Sequence, residues 1–198
     1  MLRILVLALI AVNSLVVAAP PEPRQARFSA VKGSHRVTLD IATRAFSASA
    51  HRISYASPQY LASHHYYPPD VRVVLRIDGR TPLGTDGDLP KREIVRMAAV
   101  LDGVPIEVPR NLIADCYEPH LDKSLLAVRI GDDNQSVFVF MNGSDAAGSY
   151  QVVWVLSKTG FVTRFSGACS DCGFLDFQSG FFDSASHKAE PVPPETSP

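Results

Sequence analysis

Apolar and polar positions alternate with a period of two along most of the chain. Val37, Leu39 and Ile41 are separated by Thr38 and Asp40, and Val71, Val73, Leu75 and Ile77 alternate with Arg72, Val74, Arg76 and Asp78. Such a period sends successive side chains to opposite faces of an extended segment, so it predicts half-buried strands. Residues 94–101 and 104–108 flank Asp102-Gly103, whose glycine accepts the positive φ of a primed two-residue turn, and a β-hairpin is expected there. Residues 125–130 and 137–141 flank a polar turn at 131–135, and residues 149–157 and 161–165 flank Lys158-Thr159-Gly160. In 137–141 and 150–156 both alternating sets are largely apolar, the pattern of strands covered on two faces. Trp154 and Phe140 sit inside those runs and are expected in the core.

Helix is scarce in this pattern. Its best candidate is the stretch 110–117, opened by Pro109 and stopped by Glu118-Pro119, because the residue before a proline avoids the helical region. The fold class that follows is all-β: an antiparallel β-sandwich or barrel built from successive hairpins, with at most one short helix. No repeat with a fixed period of about 20–50 residues is visible, which argues against propellers and solenoids.

The two ends break the strand pattern. Residues 1–18 carry Arg3, an apolar run from Ile4 to Val12, a polar break at Asn13-Ser14, and small residues at Val16 and Ala18. This is the layout of a secretory signal peptide cleaved after Ala18, and the uninterrupted run falls short of the ~20 residues that cross a bilayer. The expectation is a secreted or periplasmic protein with no membrane insertion after cleavage. Residues 19–30, with Pro20, Pro21 and Pro23, read as a Pro-rich N-terminal spacer, residues 31–183 as a single β-rich domain, and residues 184–198, with Pro191, Pro193, Pro194 and Pro198, as a disordered Pro-rich tail.

Composition narrows the function classes. A chain of 198 residues that is 46% hydrophobic and 20% charged has enough apolar material for one real core. Its 19 basic and 20 acidic residues leave a formal charge of −1, and the basic ones are scattered, so a nucleic-acid partner is not expected.

Candidate chemistry is limited. The disulfide candidates are Cys116, Cys169 and Cys172, an odd count that in an oxidising compartment predicts one bridge and one remaining thiol. Connectivity stays open between a Cys169–Cys172 bridge and one from Cys116 to either. An alternative uses Cys116, His120, Cys169 and Cys172 as a zinc site, since three cysteines and one histidine are an accepted tetrahedral set, or the C-x-x-C pair as a redox centre. The redox reading lacks the strand-then-helix context that lowers a thiol pKa.

The richest polar-aromatic cluster is Tyr60, His64, His65, Tyr66 and Tyr67, bracketed by Ser57-Pro58 and Pro68-Pro69. These side chains combine apolar area with hydrogen-bonding tips, the mixture enriched at recognition surfaces, so they are the ligand-binding candidates. Adjacent histidines in extended chain point apart and do not readily share a metal. His35 and His51 have no partner recognisable in the sequence.

The stretch from Gly143 to Gly148 lacks the spacing of a nucleophile elbow and reads as a hairpin loop; Asp86-Gly87-Asp88 lacks the acidic spacing of a calcium loop. Asn134-Gln135-Ser136 and Asn142-Gly143-Ser144 are glycosylation sequons. No catalytic residue is assigned. The leading expectation is an exported non-catalytic binding module without a cofactor, contacting a protein, peptide or glycan; the alternative is the zinc or thiol-redox protein.

Overall fold

A computed structural model of the chain describes residues 23–64, 71–168 and 189–190. The strands are β1 (Arg24–Lys32), β2 (His35–Ala45), β3 (Ile53–Tyr55), β4 (Val74–Ile77), β5 (Arg92–Leu101), β6 (Val104–Glu107), β7 (Leu126–Ile130), β8 (Ser136–Gly143), β9 (Tyr150–Ser157), β10 (Gly160–Ala168) and β11 (Ala189–Glu190). One α-helix, α1 (Pro58–Ser63), and three-residue 3-10 turns at Ala48–Ala50, Arg110–Leu112 and Ala146–Gly148 complete the described elements.

All strand pairs are antiparallel and form three sheets: β1-β2-β5-β6, β11-β10-β9-β8-β7, and the separate pair β3-β4. The two larger sheets remain open and enclose one hydrophobic cluster, so the fold is a sandwich and not a closed barrel. Val37, Leu39, Ile41, Met97 and Leu101 come from one sheet, and Val128, Val139, Met141, Val152, Trp154 and Leu156 from the other. The alternation predicted for residues 37–41 is therefore the inward face of β2. Trp154 has no exposed surface and Phe140 is 6% exposed, so both mid-strand aromatics are buried as expected. The Asp102-Gly103 hairpin is present, with φ of 52° and 83° and Leu101 opposite Val104, the left-handed pair a primed turn needs.

Four local expectations change. The strand expected over 71–77 shortens to β4, with Val71 outside it and exposed. The helix expected over 110–117 is only the 3-10 turn Arg110–Leu112. Its continuation is prevented because its carbonyls serve other elements: Leu112 O accepts Trp154 Nε1 at 2.8 Å and Arg164 Nη1 at 3.0 Å, and Asp115 O accepts the Leu83 amide at 2.8 Å. A helix forms instead at α1, where Ser57 caps the Tyr60 amide at 3.1 Å and Pro58 sits in the first turn. The expected 19–30 spacer is also too long, because β1 begins at Arg24 and lays Phe28, Ala26 and Ala30 on the core. Ala is a weak hydrophobic signal, which hid that strand. Within the expected tail, Ala189–Glu190 pairs with Phe165 and Arg164 of β10. The signal segment 1–18, the prolines at 20 and 21, and residues 65–70, 169–188 and 191–198 lie outside the described residues. Among those described, no helix is long and apolar enough to cross a membrane.

The β2–β5 pairing contains a bulge. Ala42 faces Arg96 but Thr43 faces Ile94, so Val95 has no partner across the ladder. The extra residue changes the phase of β5, and Met97 and Ile94, three positions apart, both reach the main core. It also lets Glu93 face the opposite side, where β3, β4, Phe46 and Tyr117 form a second, smaller cluster.

Asp102 ties three hairpin turns together at the other end of the sandwich. Its carboxylate accepts His35 Nδ1 at 2.8 Å, the Arg36 amide at 2.9 Å and Lys158 Nζ at 3.1 Å. The His35 bond, then the Arg36 amide and Lys158, hold this carboxyl well below the ordinary carboxylate range. A carboxyl depressed in the folded state contributes fully above its unfolded pKa and loses that contribution as pH falls through its folded one. The melting temperature of Asp102→Asn should thus lie below that of the parent at neutral pH, with the gap closing as pH drops below ~4. Thermal unfolding at both ends of that range decides it; an equal gap at every pH would show that the contacts contribute nothing through ionisation.

Candidate functional site

Tyr60 and His64 are the two sequence-predicted binding residues that the structure describes, and α1 brings them together. Residues four apart lie one above the other on a helix. Here the two rings stack at 4.0 Å between centroids with 15° between their planes. His64 Nδ1 lies 2.9 Å from Tyr60 O, and Ser63 Oγ donates to the same carbonyl at 2.8 Å, so the helix end also fixes the imidazole. No residue of α1 is buried, and neither ring belongs to either hydrophobic cluster. The stack thus presents aromatic area to solvent, and among the described residues it does not pack on either hydrophobic cluster. Near it in sequence, the Arg72 guanidinium sits 3.9 Å above the Tyr55 ring, a cation–π contact. His65, Tyr66 and Tyr67 lie outside the described residues.

The zinc reading placed Cys116 and His120 together, but the two meet different surroundings. Cys116 has no exposed surface; its Sγ lies 3.8 Å from Asp115 Oδ1 and 4.0 Å from Arg164 Nη1. His120 lines an open groove of about 430 Å³ with Glu118, Ser144 and Asp145. Its Nε2 is 3.0 Å from Ser144 O, and since a carbonyl only accepts, Nε2 carries the proton. A metal would have to take Nδ1 or break that bond. Among the described residues no three His, Cys, Asp or Glu side chains converge in a metal-binding group, and Cys169 and Cys172 lie outside them.

Glu118 and Ser144 carry positive φ values of 49° and 59°, and each is held there by hydrogen bonds. Glu118 Oε1 accepts the amides of Lys91 and Arg92, and Glu118 O accepts the Ser144 amide at 2.8 Å. The groove wall is thereby a set of locked turns. The Gly143 to Gly148 stretch forms part of it, with the loop character its sequence implies.

Two ionic groups, one partly buried and one buried, were not legible in the sequence. His51, with 6% of its side chain exposed, lies between Asp78 (Nδ1 to Oδ2, 2.7 Å) and Glu93 (Nε2 to Oε2, 3.4 Å), and stacks on Phe46 at 4.7 Å. Glu93 also accepts Arg44 Nε at 2.7 Å. Burial opposes ionisation of Asp78, but hydrogen bonds from His51 and the Arg52 amide outweigh it and lower its pKa. The partners stand 27 and 42 positions from His51, and no local motif joins them. The second group is a two-pronged pair, Arg164 Nη1 to Asp115 Oδ1 at 2.7 Å and Nη2 to Oδ2 at 2.8 Å. Beside it, Tyr150 Oη donates to Tyr117 O at 2.8 Å. Burial raises the pKa of both phenols, with Asp78 and Glu93 adding to it at Tyr117, so each stays neutral. Both groups join one sheet to the loops that cover it, which is a structural use of buried charge.

No protein-family model matches the chain, and no curated protein or solved structure is significantly similar to it. Its functional reading rests on its own residues.

Proposed function

We propose that the mature chain is an exported, non-catalytic β-sandwich binding module that engages a protein, peptide or glycan partner through the surface of α1. One observation carries this reading: the Tyr60–His64 stack is fixed by a contact to the Tyr60 carbonyl, and among the described residues neither ring belongs to a hydrophobic cluster. An aromatic pair whose geometry is set in advance loses little conformational entropy when a partner covers it. Aromatic rings of this kind supply much of the energy at recognition surfaces. His65, Tyr66 and Tyr67 would extend the contact along the adjoining sequence.

The test uses the mature chain against a glycan array and a displayed peptide library, followed by titration of the strongest binder. Tyr60→Ala/His64→Ala should weaken that binder by about tenfold or more, equivalent to ~1.4 kcal/mol, with an unchanged melting temperature. Parent-like affinity in the double variant would remove α1 from the contact surface. A large fall in melting temperature would make the two rings part of the fold's support.

A further inference from the structure

His51 is faced on both sides by groups that only accept. Its Nδ1 lies 2.7 Å from Asp78 Oδ2, and its Nε2 stands 3.4 Å from each carboxylate oxygen of Glu93. Ionised carboxylates have no proton to give, and a neutral imidazole has a single N–H. The neutral ring therefore satisfies one neighbour and turns its remaining lone pair toward the lone pairs of the other. The imidazolium donates to both. Because the contact to Asp78 is the shorter, the neutral ring keeps its proton on Nδ1, and Nε2 is the position whose proton comes and goes.

The site is enclosed. The side chains of His51 and Glu93 are each 6% exposed, and Phe46 stacks on the imidazole. Other charged and titratable groups approach from several elements. Arg44 of β2 donates from Nε to Glu93 Oε1 at 2.7 Å, and Arg110 Nη2, from the 110–112 turn, stands 4.0 Å from Glu93 Oε2. Arg52 holds Asp78 through its amide, at 2.9 Å from Oδ1, and through its charge. Tyr117, edge-on to Phe46 at 5.7 Å, is kept neutral by burial. The Arg44 and Arg110 side chains are 46% and 60% exposed, so water screens much of their charge, whereas the imidazolium is shut in between the two carboxylates.

These contacts join separate parts of the fold. His51 stands on the connection between β2 and β3, Asp78 follows β4, and Glu93 belongs to β5 of the four-stranded sheet. The β3-β4 pair is a sheet of its own, whose Val74 and Ile77 rest with Phe46 and Tyr117 in the second cluster. His51 thus bridges the end of this small sheet to a strand of the main sandwich.

We propose that His51 is a proton-operated clamp: its protonated ring ties the turn after β4 to Glu93 and holds the β3-β4 pair on the sandwich, and loss of the Nε2 proton loosens that pair while the main core stays intact. The clamp is independent of whether α1 binds a partner. A histidine that acquires carboxylate partners on folding stabilises the fold in acid and loses that contribution as pH rises.

Hydrogen–deuterium exchange of the full mature chain from about pH 5 to about pH 8, corrected for the pH dependence of exchange in an unstructured chain, tests it. Protection of the amides of Ile53–Tyr55 and Val74–Ile77, taken relative to those of β9, is expected to fall severalfold across that range. Long-range nitrogen–proton spectra of the parent should show both ring nitrogens of His51 protonated at the acid end and Nε2 bare at the other. His51→Gln, which keeps an amide donor and does not titrate, should show a constant ratio. If that variant does not fold, Glu93→Gln takes its place: its amide can donate to a bare Nε2 or accept from a protonated one, so the pH dependence should shrink there too. A ring carrying a single proton at the acid end would overturn the proposal. So would a protection ratio in the parent that holds or rises with pH, or an undiminished fall in the variant.

Discussion

Trp154→Ala is expected to lower the free energy of unfolding by roughly 3–5 kcal/mol, the range for removing a fully buried large aromatic. Trp154 lies mid-way along β9 in the main cluster with no exposed surface. Truncation would leave a cavity between the two sheets that neighbouring strands, held by their ladders, cannot collapse to fill. The indole also donates from Nε1 to Leu112 O at 2.8 Å, which fixes the 110–112 turn against the sheet. Trp154→Phe gives an intermediate case, since it keeps one ring and loses both the donor and part of the indole volume; a loss smaller than that of Trp154→Ala, at roughly 1–3 kcal/mol, is expected because Arg164 still bonds Leu112 O. Urea unfolding of the three proteins measures both steps. A parent-like midpoint for Trp154→Ala would mean that the indole does not occupy the core.

Asp115→Ala should be comparably damaging, at about 3–5 kcal/mol, for a different reason. The Arg164 side chain is 4% exposed and that of Asp115 10%, so removing the carboxylate leaves a guanidinium charge in the interior without its two-pronged acceptor. The loss is dominated by that stranded charge rather than by the strength of the pair. Asp115→Ala/Arg164→Met, which removes both charges, is therefore expected to recover a substantial part of the stability lost in the single variant. Chemical denaturation decides between this and a simple sum. Additive losses in the double variant would mean that Arg164 finds equivalent stabilisation without Asp115.

The sandwich was legible because its governing signal is local. Alternation at Val37, Leu39 and Ile41 and the turn at Asp102-Gly103 depend on residues adjacent in the chain, and those predictions match the sheets. What was hidden depends on distant partners. Nothing near residues 110–117 announces that Leu112 O will be taken by Trp154 and Arg164, so a short helix looked better there than a 3-10 turn. The bulge at Val95 is equally silent, since it exists only relative to Ala42 and Thr43 on the neighbouring strand. At the candidate surface, Ser57-Pro58 carries the start of α1 as a capping serine before a first-turn proline, but a helix of six residues is too short to show a period of its own. The Tyr60 and His64 spacing becomes a stacked pair only once that helix is placed.

The order of strands also bears on how the molecule assembles. In the five-stranded sheet β7, β8, β9 and β10 pair with their neighbours in sequence, β9 and β10 across only Lys158-Thr159. In the other sheet β5 must find β2 across residues 46–91, an interval of forty-six. Loop-closure entropy alone sets the two events apart by roughly 3 kcal/mol. The meander from β7 to β10 is thus the natural nucleus, and the β1–β2 hairpin with β5 joins a surface already formed. Nascent chains would accordingly present the α1 region before they own a core, because residues 58–64 leave the ribosome well ahead of the strands that nucleate the fold.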